Sequence, residues 1–167
     1  DYDVISFDLF DTLLVRPFSK ASDVHKFVEL SMKKTLQEYN VFNFCEIRLE
    51  AENICRNQLL NSKKYEDCNL KEIYETFESL THMPHEKVLE IMNCELEADF
   101  KLLKPRKNVV ELLDLAIESR KKVCITTDIF YEKEFIEKLL EKNNIHYHKL
   151  LVSADKRKLK ATGSLFE

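Results

Sequence analysis

Apolar positions along this chain change their spacing twice. Residues 3 to 7, DVISF, form a short β-branched run bounded by polar residues, which predicts a buried parallel strand. From Ser22 onward the period becomes helical. SDVHKFVELSMKKTLQEY puts Val24, Phe27, Val28, Met32, Leu36 and Tyr39 on one stripe, with Ser22 at the N-cap. NFCEIRLEAENICRNQLL predicts a second helix, NLKEIYETFESL a third capped by Asn69, and PHEKVLEIMNCELEADFKLL a fourth with Pro84 at its first position. Residues 18–103 are therefore expected to be all helix. After Pro105 the pattern alternates: NVVELLDLAIES is helical, KVCIT a strand, EKEFIEKLLEKN helical, KLLVS a strand, and TGSLFE the opening of another helix. This βαβ order implies an α/β fold with a parallel sheet. The first strand has no helical partner nearby, so it pairs with the later ones. Residues 1–17 and 104–167 then make the core, and 18–103 an inserted helical lobe.

Composition narrows the function. The chain has 167 residues, 44% of them hydrophobic, enough for a real core. Its 26 Lys and Arg are interspersed among 30 Asp and Glu, for a net charge of -4, which argues against nucleic acid as a partner. Five cysteines without a CxxC pair suggest neither a disulfide framework nor a zinc site. With no signal peptide and no apolar run near the ~20 residues of a membrane span, a cytoplasmic protein with reduced thiols is expected. The chain begins at Asp1 without a Met and has a single glycine, Gly163, which suggests an excerpt of a longer polypeptide.

In open parallel sheets, ligands bind outside the carboxyl ends of the strands. There this sequence places Asp8, then Thr126, Thr127 and Asp128, then Ser153, Ala154 and Asp155, with Lys160 just beyond. Such a cluster of carboxylates, hydroxyls and an amine suits attack by a carboxylate. An anionic substrate would be repelled, by about 4 kcal/mol for unit charges 4 Å apart at an effective dielectric near 20, so a cation is required. Lysine and an oxygen-liganded Mg²⁺ meet that need.

FDLFDTL resembles the first motif of the haloacid dehalogenase (HAD) superfamily, VCITTD its second and KATGSLF its third, in the right order and on the right elements. The resemblance implies a Rossmann-like sheet with an inserted helical cap, and a phosphatase that forms an aspartyl-phosphate on a small phosphorylated metabolite. By motif matching, Asp8 is the nucleophile, Asp8 and the Phe10 carbonyl bind Mg²⁺, Thr127 holds the phosphoryl oxygens and Lys160 offsets their charge. Thr12, Arg16, Arg48, Arg56 and Asp128 are the candidate substrate contacts. The wider wording is similar to a subgroup joined to glycosyltransferase and other polysaccharide-assembly domains, which implies a sugar phosphate and such domains as partners.

Two departures bear on this reading. The general acid two residues after the nucleophile is replaced by Phe10, with Asp11 next to it as the candidate substitute. General acid catalysis contributes roughly 10² to 10⁴ in rate, and the superfamily's dehalogenases carry an aromatic there because a halide leaves unprotonated. The acidic fourth motif has no counterpart before Glu167, so the core is expected to be incomplete. A carbon–halogen hydrolase and a non-catalytic module of a larger enzyme are the alternatives. Arg48, Glu52 and Arg56 recur every four residues, which also reads as an ion-pair ladder on one helix face. The five histidines read as surface residues, and the aromatics of the insertion as its core.

Overall fold

The computed structural model describes residues 2–62 and 65–167. They form two compact units, one of residues 1–16 and 103–167, the other of residues 17–102.

In the first unit, β1 (Val4–Phe7), β4 (Lys122–Thr127) and β5 (Lys149–Val152) make a parallel sheet in the order β1-β4-β5. Phe7 pairs with Ile125, and Thr127 with Val152, so all three strands end at one edge. The sequence expectation of an α/β fold with these strands adjacent agrees with this sheet. β4 is buried beyond its first residue because it has neighbours on both sides. β1 is an edge strand with Val4 55% exposed, so the expected burial of DVISF is corrected. Between β4 and β5 runs α7 (Lys133–Lys142), whose Ile136, Leu139 and Leu140 recur at helical spacing and are buried. α6 (Lys107–Glu118) precedes β4. A small antiparallel pair, β2 (Leu14–Val15) with β3 (Lys104–Pro105), is extended by the Arg106 N–H to Leu13 carbonyl bond at 2.8 Å. KLLVS stops sooner than its apolar run suggests: Ser153 opens the short α8 (Ser153–Lys156). A 3-10 turn, Ser164–Phe166, stands where another helix was expected to begin.

The second unit holds α1 (Asp23–Ser31), α2 (Lys33–Glu38), α3 (Phe44–Ser62), α4 (Leu70–Thr81) and α5 (His85–Leu102). α3 packs on α4, and α1 on α5. The expected single helix from Ser22 to Tyr39 is two, because the backbone leaves helical geometry at Met32 (φ -101, ψ 13). Ser22 does not cap. Its own backbone is already helical, whereas an N-cap needs extended geometry for its hydroxyl to reach the first turn. Asn69 caps α4 as expected, and Glu72 returns the bond to complete a capping box (2.9 and 3.0 Å). Phe44, Tyr74 and Phe77 fill this unit's core, but Phe27 and Phe42 are exposed. Among the described residues no helix is long and apolar enough to cross a membrane.

Candidate active site

Asp8 follows the last residue of β1, and its side chain is 40% exposed. Both carboxylate oxygens are engaged. Lys160 Nζ lies 2.6 Å from Oδ1, and the Thr12 hydroxyl donates to Oδ2 at 2.8 Å. The three residues between Asp8 and Thr12 turn tightly: the Leu13 and Leu14 N–H groups both bond to the Leu9 carbonyl at 2.9 Å. That turn brings a hydroxyl back onto the carboxylate that ends the strand, which gives DxxxT its spacing a physical reason.

Lys160 is fixed by its backbone. Its N–H bonds to both oxygens of Asp128 (3.1 and 3.2 Å), and its carbonyl accepts the Gly163 N–H at 2.9 Å. Gly163 is the chain's one glycine and sits at φ +83, a conformation side chains resist. The neighbouring Lys156, which pairs with Asp155 at 3.5 Å, and Lys158, which pairs with Glu167 at 3.7 Å, serve the surface.

The strand-end hydroxyls divide. Thr126 bonds to Ser6 at 2.9 Å on one face of the sheet, while Thr127 ends β4 buried at 1% exposure on the opposite face. The carboxylate of Asp128, a candidate substrate contact, takes the Lys160 N–H, a positioning role. Ser153, at the next strand end, accepts the Ile129 N–H at 2.8 Å and donates back to its carbonyl at 3.2 Å, tying down the loop after β4.

Phe10 packs against Tyr131 (centroids 6.1 Å) and carries the Arg16 guanidinium over its ring at 4.9 Å. Tyr131, buried at 1%, is also in contact with Phe130 and Phe135, both at 4.8 Å. Sequence reasoning passed over this aromatic group, although FYEKEF announces it directly after the second motif. Asp11 is exposed, with its backbone at φ +59 and its N–H on the Leu14 carbonyl at 2.7 Å. Asp tolerates the left-handed region better than most residues, and that conformational service is what the structure gives it.

The candidate arginines of the insertion are held in ion pairs. Arg48 is fully buried and forks onto Glu95 (2.9 and 3.0 Å), with Nη1 on Glu52 at 3.1 Å and its guanidinium 5.3 Å from the centre of the Tyr74 ring. Burial pushes the Arg48 pKa down, but Glu95 beside it holds it well above its ordinary value. Such a group cannot meet a substrate without leaving a buried carboxylate unpaired. Arg56 bonds to Glu52 (3.2 and 3.1 Å) and to buried Asp67, which leaves its guanidinium committed as well. His25 is also not at the surface: it is 4% exposed and its Nε2 lies 3.8 Å from Glu95.

Among the described residues no group of three or more His, Cys, Asp or Glu side chains gathers to hold a metal ion. The donors at hand are nonetheless of the right kind. Mg²⁺ is commonly held by one or two carboxylates, with waters and substrate phosphate completing its shell. Asp8, whose oxygens each have one described partner and a lone pair to spare, fits that pattern.

The fold is shared with solved structures. The L-2-haloacid dehalogenase of Xanthobacter autotrophicus matches with a TM-score of 0.59 at 10% identity, over 99% of this chain and 62% of its own. The L-2-haloacid dehalogenase PA0810 matches with a TM-score of 0.60 at 11% identity, over 99% and 68%. YfnB of Bacillus subtilis, described as a HAD-hydrolase and solved bound to magnesium, matches with a TM-score of 0.53 at 13% identity, over 92% and 66%. The chain thus spans 62% of the length of the Xanthobacter enzyme. No protein-family model and no curated protein matches the sequence. At these identities the likeness establishes the architecture alone: the chain shares the fold of these solved structures.

Proposed function

We propose that this chain is the hydrolytic core of a haloacid dehalogenase-type phosphatase acting on a small phosphomonoester. The observation that carries the reading is the placement of Lys160 and Thr12 on the two oxygens of Asp8, at the sheet edge where the fold binds ligands. Asp8 attacks phosphorus, its oxygen bonding to the phosphoryl group as the bond to the alcohol oxygen breaks, and the departing alkoxide takes a proton from water. Water then attacks the aspartyl-phosphate, and phosphate leaves as the carboxylate is restored. Lys160 offsets the charge of the phosphoryl oxygens, and the Thr127 hydroxyl takes one of them. Asp8 and the Phe10 carbonyl would hold a Mg²⁺, which would supply further charge neutralisation.

The substrate class we favour is a sugar phosphate of surface-polysaccharide assembly, handled beside glycosyltransferase-type domains in the cytoplasm. The wording of the three motifs supports this. A second reading, hydrolysis of a carbon–halogen bond, is favoured by Phe10, because an aromatic ring at that place leaves no acid for an alcohol leaving group.

One assay separates the two. Release of phosphate from a panel of sugar phosphates and of halide from 2-haloacids is followed with and without a chelator. Phosphate release abolished by the chelator supports the first reading. Halide release that survives the chelator replaces it with the second.

A further inference from the structure

The helical unit buries Phe44, Tyr74 and Phe77 but leaves other large apolar side chains in water. Phe27 and Leu30 on α1, and Phe42 in the loop before α3, are 42%, 73% and 66% exposed. Phe27 and Leu30 are three residues apart and share one face of α1, while Val24, His25 and Val28 are buried. Beside them the surface dips into a cavity of about 220 Å³, walled by Leu30, Leu36, Val41 and Phe42. Pockets for drug-sized ligands run to about 300–1,000 Å³, so this one is of a size for a single side chain. Single exposed apolar residues are ordinary, but three of them about one cavity mark an interaction surface.

We propose that this patch is a twofold interface between two copies of the chain, in which Phe27 of each copy fills the cavity of the other. A twofold contact needs a patch that is complementary to itself. Here the knob and the hole lie side by side, because Phe27 stands one turn along α1 from Leu30, which lines the cavity. Two α1 helices running antiparallel across a shared axis then exchange their phenyl rings, and Leu30 and Phe42 of both copies leave water together.

The charges at the cavity fit the same occupant. Glu29 and Lys33 both line it, one of each sign. Lys33 makes no ion pair among the described residues, and the described partner of Glu29 is the Cys45 thiol at 3.0 Å, a weak donor. The twofold axis sets Lys33 of each copy against Glu29 of the other, which gives two ion pairs and fixes the register. An anionic lipid surface would meet Glu29 with repulsion, so a second copy suits the patch better than a membrane does.

The test is the mass of the full chain in solution, measured by sedimentation equilibrium over a concentration series. The expected result is an equilibrium between 19.8 kDa and twice that mass. Leu30→Lys should shift it to the monomer with an unchanged far-UV circular dichroism spectrum. Lys33→Glu sets like charges opposite each other and should raise the dimer Kd about tenfold or more; adding Glu29→Lys exchanges the two signs and should restore it. A monomer at every concentration would overturn the proposal. So would a dimer that Leu30→Lys and Lys33→Glu leave intact, or a double variant that associates no better than Lys33→Glu alone. The charge exchange is read against its own single variant, so it decides the matter even if Leu30→Lys fails to fold.

Discussion

The ammonium of Lys160 lies 2.6 Å from Oδ1 of Asp8 although 152 positions separate them in the chain. No local turn accounts for that contact. It exists because β1 and β5 flank β4 in register, and because Asp128, just past β4, holds the Lys160 backbone.

Asp8→Asn should abolish turnover, since an amide is neither the nucleophile nor an anionic ligand. Lys160→Ala should lower kcat by roughly 10²- to 10³-fold, the usual cost of removing one fixed stabiliser of developing charge. Steady-state kinetics on the best substrate of the panel checks both. An Asp8→Asn protein that still turns over would rule out covalent catalysis.

Asp128→Ala should act through the lysine. A small misplacement of a catalytic group costs up to about 10²-fold in rate, so kcat should fall while KM changes little. Asp128→Asn keeps an acceptor oxygen and should recover most of the loss. A rise in KM with unchanged kcat would make Asp128 a substrate contact after all.

Phe10→Asp should raise kcat on alkyl phosphates, by up to roughly 10²-fold if the new carboxyl reaches the leaving oxygen. It should do little for aryl phosphates, whose leaving groups need no proton. Asp11→Asn should leave both rates near the wild type, because Asn also tolerates the left-handed backbone at φ +59. If Asp11→Asn lowers the alkyl rate selectively, the exposed carboxylate is the acid.

The parts of the architecture that spacing could express were legible. α7 shows its buried face as Ile136, Leu139 and Leu140, and Asn69 marks the start of α4. The cluster of Asp8, Thr12 and Lys160 was legible because each residue sits beside a strand end or in a short motif. Other features depend on distant partners and left no periodic trace. Arg48 reads locally as one rung of a surface ladder, and its partner Glu95 lies 47 residues away. The same holds for the tie between Ser153 and Ile129, and for β2 with β3, two residues each.

Arg48→Met should destabilise the chain by about 3–5 kcal/mol, because Glu95 would be left charged, buried and without its main partner. Adding Glu95→Leu should restore most of that loss, since an apolar pair of similar volume avoids burying charge. Urea unfolding of the single and double variants measures the coupling. Losses that simply add would mean that the two side chains act independently.

Acid should weaken the same unit. Burial holds His25 below its ordinary 6.5, against the opposing charge of Glu95, while Arg48 adds to the lowering and Glu52 and Asp99 oppose it. Burial pushes the Glu95 carboxyl up from 4.5, but Arg48 and His25, with bonds from Arg48 and Tyr74, bring it below that value. In each case the unfolded chain binds the proton more readily, so stability rises with pH. The His25 share is present above 6.5 and is lost below it; the Glu95 share is present above 4.5 and is lost as pH falls further. Urea midpoints should therefore drop on acidification, and His25→Gln should flatten the upper part of the slope. An unchanged slope in that variant would assign the effect to other groups.

The short ribbon of Leu14–Val15 against Lys104–Pro105 has a consequence for how such a protein can change over time. It brings the two ends of the intervening segment, residues 17–102, to adjacent points on the sheet unit. Loop-closure entropy grows only slowly with length once the ends are pinned. The ribbon is therefore a graft junction: an intervening segment of another length, or another shape, can be spliced in at Arg16 and Leu103 while Asp8, Thr12 and Lys160 keep their places. Change in residues 17–102 and change in the residues around Asp8 can then proceed on separate stretches of the gene.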